Sequence, residues 1–347
     1  MSHEIPELKV ENLVVIYDTE DSIVHAVNDI SFEVPKRTTM GLVGETGAGK
    51  TTTALAVMRL LPDPPAKMVS GKIMFGGVDI STYSETKMDA TRGQEISMVF
   101  QDPMSSLNPV MTVGDQIAEV IMLHQDKNKR EAAAGAEEML KLVGISADRA
   151  GEYPHQFSGG MKQRVMIAIA LACNPRILIA DEPTTALDVT IQAQVLSVMK
   201  EIKAKYDTAM ILITHDLGVV ADICDTVAIM YAGRIIEYGT LEDIFDHYKH
   251  PYTEGLFASL PNLERRNEKL KPIKGIMPDP TDLPGGCHFH PRCQYAFESC
   301  KTVVPKRTYF SDTHYVECLR YETEYKEEYE KKYGEERGLK TGDGDDR

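Results

Sequence analysis

The segment TTMGLVGETGAGKTTTALAVMRLL, residues 38–61, permits few architectures. A short apolar run enters a glycine turn and leaves as a stretch of helix formers, which reads as strand, loop and helix. Within it, Gly44-Glu45-Thr46-Gly47-Ala48-Gly49-Lys50-Thr51 fits the pattern G-x-x-x-x-G-K-[ST]. Glycines at these places let backbone N–H groups converge on a phosphate without Cβ obstruction, and the helix N-terminus adds its positive dipole. Lys50 then reaches the β and γ oxygens, and the Thr51 hydroxyl is placed to ligate Mg²⁺. Four fixed positions alone arise by chance in some chains; the strand and helix flanks make the match a claim. A parallel α/β core that holds a nucleotide is therefore expected.

The rest of the chain must say what the nucleotide is for. With 347 residues and 42% hydrophobic composition, one large domain and something smaller are expected. A formal charge of -15 argues against tracking a nucleic-acid backbone. The start MSHEIPELKV lacks the features of a secretion leader, and no apolar run reaches about 18 residues, so a chain neither secreted nor membrane-spanning is expected. Residues 7–34 alternate apolar and polar, as paired strands do around a turn near Asp18 to Ser22. From about Met111 to Gly160 the sequence turns helix-rich, with KREAAAGAEEMLKLVGI at amphipathic spacing. Parallel-sheet character returns in RILIADEP and AMILITHD, and VAIMYAGRIIEYG reads as a hairpin around Ala232-Gly233. Beyond His250-Pro251-Tyr252 the chain is loop-rich and proline-rich, a separate small module. Tyr321, Tyr325, Tyr329 and Tyr333, four apart, fit either a packed terminal helix or a solvated, charged one that frays.

Further chemistry is carried at strand and helix ends. Ile177 to Ala180 is a buried strand that runs into Asp181-Glu182. Ligands of open α/β sheets sit at such carboxyl ends, so Asp181 can hold the Mg²⁺ shell while Glu182 orients or deprotonates water; a mere helix-capping pair is the plainer reading. Ser158-Gly159-Gly160-Met161 opens another helix and offers a second anion-receptive terminus, or simple capping. His215 alone reads equally as a strand-end cap, and Tyr17 alone as strand packing.

Taken together, the P-loop, Gln101 after ISMVF, Ser158-Gly159-Gly160, Asp181-Glu182, the Ala186-Leu187-Asp188 turn and His215 resemble an ATP-binding cassette (ABC) subunit over residues 7–245. The resemblance implies an α/β P-loop NTPase fold, a RecA-like core with antiparallel β and helical subdomains, the latter at about 103–162 within a domain of 1–245. It implies an adenine shelf at Tyr17 and a nucleotide and Mg²⁺ site on Gly44 to Thr51, Thr52, Gln101 and Asp181. Glu182 would be the catalytic base, Gln101 the γ-phosphate sensor and His215 the γ-phosphate clamp. Ser158, Gly159, Gly160 and Met161 would close on ATP held by a partner's P-loop. Phe157 and Met161 stand where the family's signature has Leu and Gln.

Cys173 and Cys224 read as small buried hydrophobes. Cys287, Cys293, Cys300 and Cys318 gather in the loop-rich segment. In a reducing compartment disulfides are disfavoured, and four gathered thiols suggest a metal that staples a small core, with unmetallated cysteines as the remaining alternative. Zinc prefers closer pairs, although His288, His290 and His314 are alternative ligands; iron–sulfur clusters accept wider spacing. HYKHPYT at 247–253 and GGCHFHPRC resemble the C-terminal extension of dipeptide and oligopeptide permease ATPases, here about 246–320, before a charged tail at 321–347. That resemblance implies a [4Fe–4S] cluster on the four cysteines, with zinc as the alternative. It also implies an ATPase at the cytoplasmic face of the cell membrane that powers uptake of peptides or related solutes such as oligosaccharides. Its partners would be a homologous ATPase, two permease subunits and, indirectly, an extracytoplasmic solute-binding protein, with no nucleic acid. A soluble cassette ATPase of repair or translation and a redox-sensing ATPase are the rival readings.

Overall fold

The computed structural model describes residues 5–102, 106–185, 187–260 and 272–337. Alternation in the first segment becomes β1 (Leu8–Asp18) and β2 (Ile23–Val34), an antiparallel pair with Leu8, Val10, Leu13 and Val15 fully buried. The turn falls where the sequence placed it. The uniformly apolar run becomes β3 (Thr39–Val43), buried throughout, and the glycine turn leads into α1 (Lys50–Met58). β4 (Ala66–Phe75) and β5 (Val78–Asp79) complete a four-stranded antiparallel sheet in the order β2-β1-β4-β5. Its apolar face closes over one side of the main sheet.

The main sheet draws on distant parts of the chain. After α2 (Glu85–Thr91) come β6 (Ile96–Val99) and three helices, α3 (Val113–His124), α4 (Lys129–Leu142) and α5 (Gly159–Leu171). α3 and α5 start at side-chain caps on Thr112 and Ser158, and α4 at a full capping box between Asn128 and Glu131. In α4 the four-residue spacing of Ala132, Ala136 and Leu140 buries one face. Helices thus occupy the stretch expected to be helix-rich; residues 103–105 at its start and Ala186 of the expected Ala186-Leu187-Asp188 turn lie outside the described residues. β7 (Ile177–Asp181), α6 (Val189–Tyr206), β8 (Ala209–Thr214), α7 (Leu217–Ile223) and β9 (Thr226–Tyr231) come next. β6, β7, β8, β3 and β9 run parallel, which is why their sequences are unbroken apolar runs.

β10 (Arg234–Thr240) forms the expected hairpin with β9 at Ala232-Gly233. α8 (Leu241–Asp246) and α9 (Pro251–Ala258) then lead to a segment that does not stand apart. Its strands β11 (Arg307–Tyr309) and β12 (Tyr315–Glu317) extend the main sheet to eight, in the order β11-β12-β10-β9-β3-β8-β7-β6. Glu237 and Tyr238 of β10 pair with Val316 and Tyr315 of β12. Of the two readings of the tyrosine stripe, the packed one holds along α10 (Lys326–Arg337). Tyr325 and Tyr329 lie against Phe297, Cys300 and Leu319, and the Tyr333 hydroxyl donates to the Ala296 carbonyl at 2.9 Å.

Candidate functional site

The strand–loop–helix unit β3–α1 supplies the floor of the site. Glycine is required at 44 because a Cβ would come within 2.2 Å of the Met230 carbonyl oxygen, and at 49 because φ is +100°. Lys50 lies back along the loop, donating to the Gly44 and Glu45 carbonyls at 2.8 and 3.0 Å. Burial lowers its affinity for a proton, and the charges of Glu182, Asp181 and Glu45 oppose this. Thr51 Oγ1 donates to Asp181 Oδ2 at 2.8 Å, while the buried Asp181 Oδ1 has no hydrogen-bond partner among the described residues. Burial raises the Asp181 carboxyl above its ordinary range. A hydroxyl beside a buried, half-satisfied carboxylate at a phosphate loop is the oxygen donor set that suits Mg²⁺.

Glu182, immediately after β7, carries a positive φ of 46°, a costly backbone state for a residue with a side chain. Its carboxylate accepts three hydrogen bonds: from Gln101 Nε2 at 2.9 Å, Thr185 Oγ1 at 2.9 Å and His215 Nδ1 at 3.2 Å. Burial would raise its carboxyl, but the bonds from Thr185 and His215 and the charge of Lys50 outweigh burial and hold it below the usual range. Glu182 is thus ionised and aimed by three donors. It lines one cleft of about 430 Å³ with Tyr17, Thr46, Gly47, Gly49, Lys50, Thr51, Thr52, Gln101 and His215. Tyr17 Oη lies 3.3 Å from Thr52 Oγ1 at this cleft. Ala48 and Asp181 are buried behind its surface.

Ser158, Gly159, Gly160 and Met161 do not line that cleft. Ser158 and Gly159 are exposed at the start of α5. Phe157 takes a core position under the Arg149 guanidinium, 4.3 Å from its ring centre, and Met161 Sδ accepts from Arg149 Nη1 at 3.3 Å.

Sequence reasoning missed several neighbours of the loop. Pro280, from the C-terminal segment, lines the cleft, and its carbonyl accepts from the His25 N–H at 2.8 Å. Arg292 grips both Glu45 carboxylate oxygens, and the Glu45 N–H donates to Tyr252 Oη at 3.0 Å. Tyr252 lies in HYKHPYT and Arg292 in GGCHFHPRC, stretches whose sequence signals only a resemblance and a group of thiols.

Cys287, Cys293, Cys300 and Cys318 line one small cavity of about 20 Å³, with His250, His290 and Arg320 among its other walls. Burial and the neighbouring thiols push Cys293 up to about 12 and Cys318 up to about 11 and raise Cys287, while burial and the charge of Glu328 raise Cys300. The histidines offered as substitutes are mostly engaged elsewhere: His288 with the Ala232 carbonyl at 3.1 Å and His314 with Glu237 at 3.1 Å. Among the described residues no three His, Cys, Asp or Glu side chains stand in metal-holding geometry, so no preformed metal centre matches the expected cluster. Cys224 is a buried thiol as expected, pushed up to about 12 by burial, and Cys173 is half-buried.

Residues 27–185 match the family described as ABC transporter, and residues 236–300 match that described as oligopeptide/dipeptide transporter, C-terminal region. A dipeptide transport ATP-binding protein of Bacillus subtilis is 50% identical over 313 residues, 90% of this chain and 93% of its own length. The chain belongs to the ATP-binding proteins of dipeptide and oligopeptide ABC transporters. An oligopeptide transport ATP-binding protein of Haemophilus influenzae is likewise 50% identical, over 88% of this ATPase and 94% of its own length. Among solved structures, cbiO1 from Clostridium perfringens, described as part of the ABC transporter complex cbiONQ, aligns at a TM-score of 0.59 and 29% identity, over 69% of this chain and 90% of its own. An ATP-binding cassette captured as a dimer with ADP and phosphate aligns at 0.61 and 24%, over 67% and 98%, and shares the fold.

Proposed function

We infer that this chain is the ATP-hydrolysing subunit of an ABC importer for di- and oligopeptides. The observation that carries the reading is the convergence of Lys50, Thr51, Gln101, Glu182 and His215 on one cleft at the carboxyl ends of β3, β7 and β8. In it the loop amides and Lys50 bind the phosphates, and Thr51 and Asp181 hold Mg²⁺, which neutralises charge on the phosphates when bound. Glu182, kept ionised, takes the proton of the attacking water, while Gln101 and His215 orient it and sense the γ-phosphate. Tyr17 packs on the base. Because Ser158 and Gly159 face outward, they serve a second, homologous ATPase whose P-loop holds its own nucleotide. Two permease subunits receive the stroke through the helices α3–α5 and the loop of Gln101. No helix among the described residues is long and apolar enough to cross a membrane, which accords with a peripheral subunit on the cytoplasmic face. We assign residues 1–245 to the cassette, 246–320 to the extension and 321–347 to the tail.

The test is Glu182→Gln in the assembled transporter. ATP binding stays intact, and hydrolysis falls by about a hundredfold or more; equal turnover by variant and wild type removes the base assignment. The four thiols on one small cavity are not arranged to hold a metal as they stand, and a [4Fe–4S] cluster, with zinc the alternative, would have to draw them together. Anaerobic purification yields a brown chain with about four irons if the cluster reading holds, and stoichiometric zinc in colourless protein refutes it.

A further inference from the structure

We propose that Arg292, from the C-terminal segment, is a positioning residue of the nucleotide site: it holds Glu45 and, through it, the phosphate-binding loop. Glu45 is one of the unspecified positions of the loop motif, so its side chain owes nothing to the motif. Every polar group of this residue is nonetheless held. Its N–H donates to Tyr252 Oη at 3.0 Å, its carbonyl accepts from Lys50 Nζ at 3.0 Å, and its two carboxylate oxygens accept from Arg292 Nη1 and Nη2 at 2.8 and 3.1 Å.

The clamp is itself rigid. The Arg292 side chain is only 7% exposed. Its Nε donates to the Lys274 carbonyl at 3.1 Å, and Nη1 also reaches Tyr231 Oη at 3.4 Å. Tyr231 and Tyr252 meet edge to face at 4.7 Å, and Phe289 packs edge-on to both at 5.1 and 5.4 Å. A planar guanidinium fixed on all sides transmits position as well as charge.

The chemistry has two consequences. An unpaired carboxylate on a loop that binds polyphosphate repels its ligand; Arg292 cancels that charge beside the site. It also holds the loop in its phosphate-binding shape before nucleotide arrives, which lowers the ordering cost of binding. Both effects act on nucleotide affinity more than on turnover of bound ATP. The inference rests on the nucleotide-site reading above, and Lys50→Ala separates the two.

The experiment measures MgATP affinity of the purified full-length chain with a fluorescent ATP analogue, alongside melting temperature. Arg292→Met is expected to weaken binding about tenfold, and Arg292→Met with Glu45→Gln to recover only part of that loss, because the stranded carboxylate is gone but the loop is no longer held. The penalty should shrink as salt is raised. In the assembled transporter, KM for ATP rises while kcat changes less than threefold. Wild-type affinity in Arg292→Met, or a loss that Glu45→Gln relieves in full, overturns the inference, the second because charge alone then accounts for it. Should Arg292→Met fail to fold, Arg292→Lys decides: it keeps the charge but loses the two-point grip on Glu45, so a loss of about threefold or more is expected, and wild-type affinity overturns the positioning role. If Lys50→Ala binds ATP as wild type does, the nucleotide-site reading itself fails; if Lys50→Ala loses binding and Arg292→Met does not, only the positioning role fails.

Discussion

Thr51 and Asp181 meet in a part-buried hydrogen bond, where the proposed cation would bind. Asp181 is 2% exposed, and the 2.8 Å bond from the Thr51 hydroxyl is what its Oδ2 receives. Thr51→Val removes both the hydroxyl and that bond, so the gain in ATP affinity on adding Mg²⁺ should fall about tenfold while affinity in EDTA stays near wild type. Parallel titrations with and without Mg²⁺ check this; an undiminished Mg²⁺ effect contradicts it. Residues of this kind were legible in the sequence because a local pattern names them: a glycine turn between strand and helix, or an acidic pair after an apolar run. Arg292 and Tyr252 were not, since they reach Glu45 across 247 and 207 positions, and neither belongs to a periodicity or spacing that marks it.

Helix contacts at the start of α5 depend on a missing side chain. A Cβ on Gly160 would lie 2.1 Å from Ile191 Cγ2 at the head of α6, so the glycine lets the two helices touch. Gly160→Ala should therefore cost about 1–3 kcal/mol in denaturant unfolding, and Ile191→Ala in the same chain should return most of it; an additive loss in the double variant argues against the contact. Around β10, Glu237 is fully buried and accepts from His314 Nε2 and from the Lys249 and His250 amides. Burial raises its carboxyl, and the bonds from His314 and the His250 amide prevail and hold it below 4.5. A carboxylate depressed by folding adds stability that is full above its unfolded value of 4.5 and is lost as pH falls below it. At pH 7, Glu237→Gln should be less stable by about 2 kcal/mol, and the gap to wild type should close as pH falls below 4.5; a gap constant with pH denies the carboxylate this role. Element types were readable from period and caps, as in α4. The stripe on α10 was ambiguous because the apolar residues it packs inward are tyrosines, half-buried beside Glu328, which a hydrophobic pattern counts weakly among so many charges.

Over the whole molecule, a change of composition divides the cassette from the C-terminal segment in the sequence, and the sheet joins them. Proline and glycine make a segment look detached when its few extended residues pair with strands built from another part of the chain, and pairing of that kind leaves no trace in local sequence. β10 pairs with β9 on one side and β12 on the other, and its Ile235 and Ile236 are buried. A chain ended after residue 245 would leave the outer backbone of β10 unpaired at Glu237 and Tyr238, beside the buried Ile235 and Ile236. Such a truncation is expected to scatter light and elute as mixed oligomers where the full chain is monodisperse, and a well-behaved truncated monomer would contradict this. The present rim of the sheet is β11, only three residues long and headed by an arginine, a poor template for a strand from another copy. By this geometry the C-terminal segment covers a strand edge with which another copy of the chain could otherwise pair.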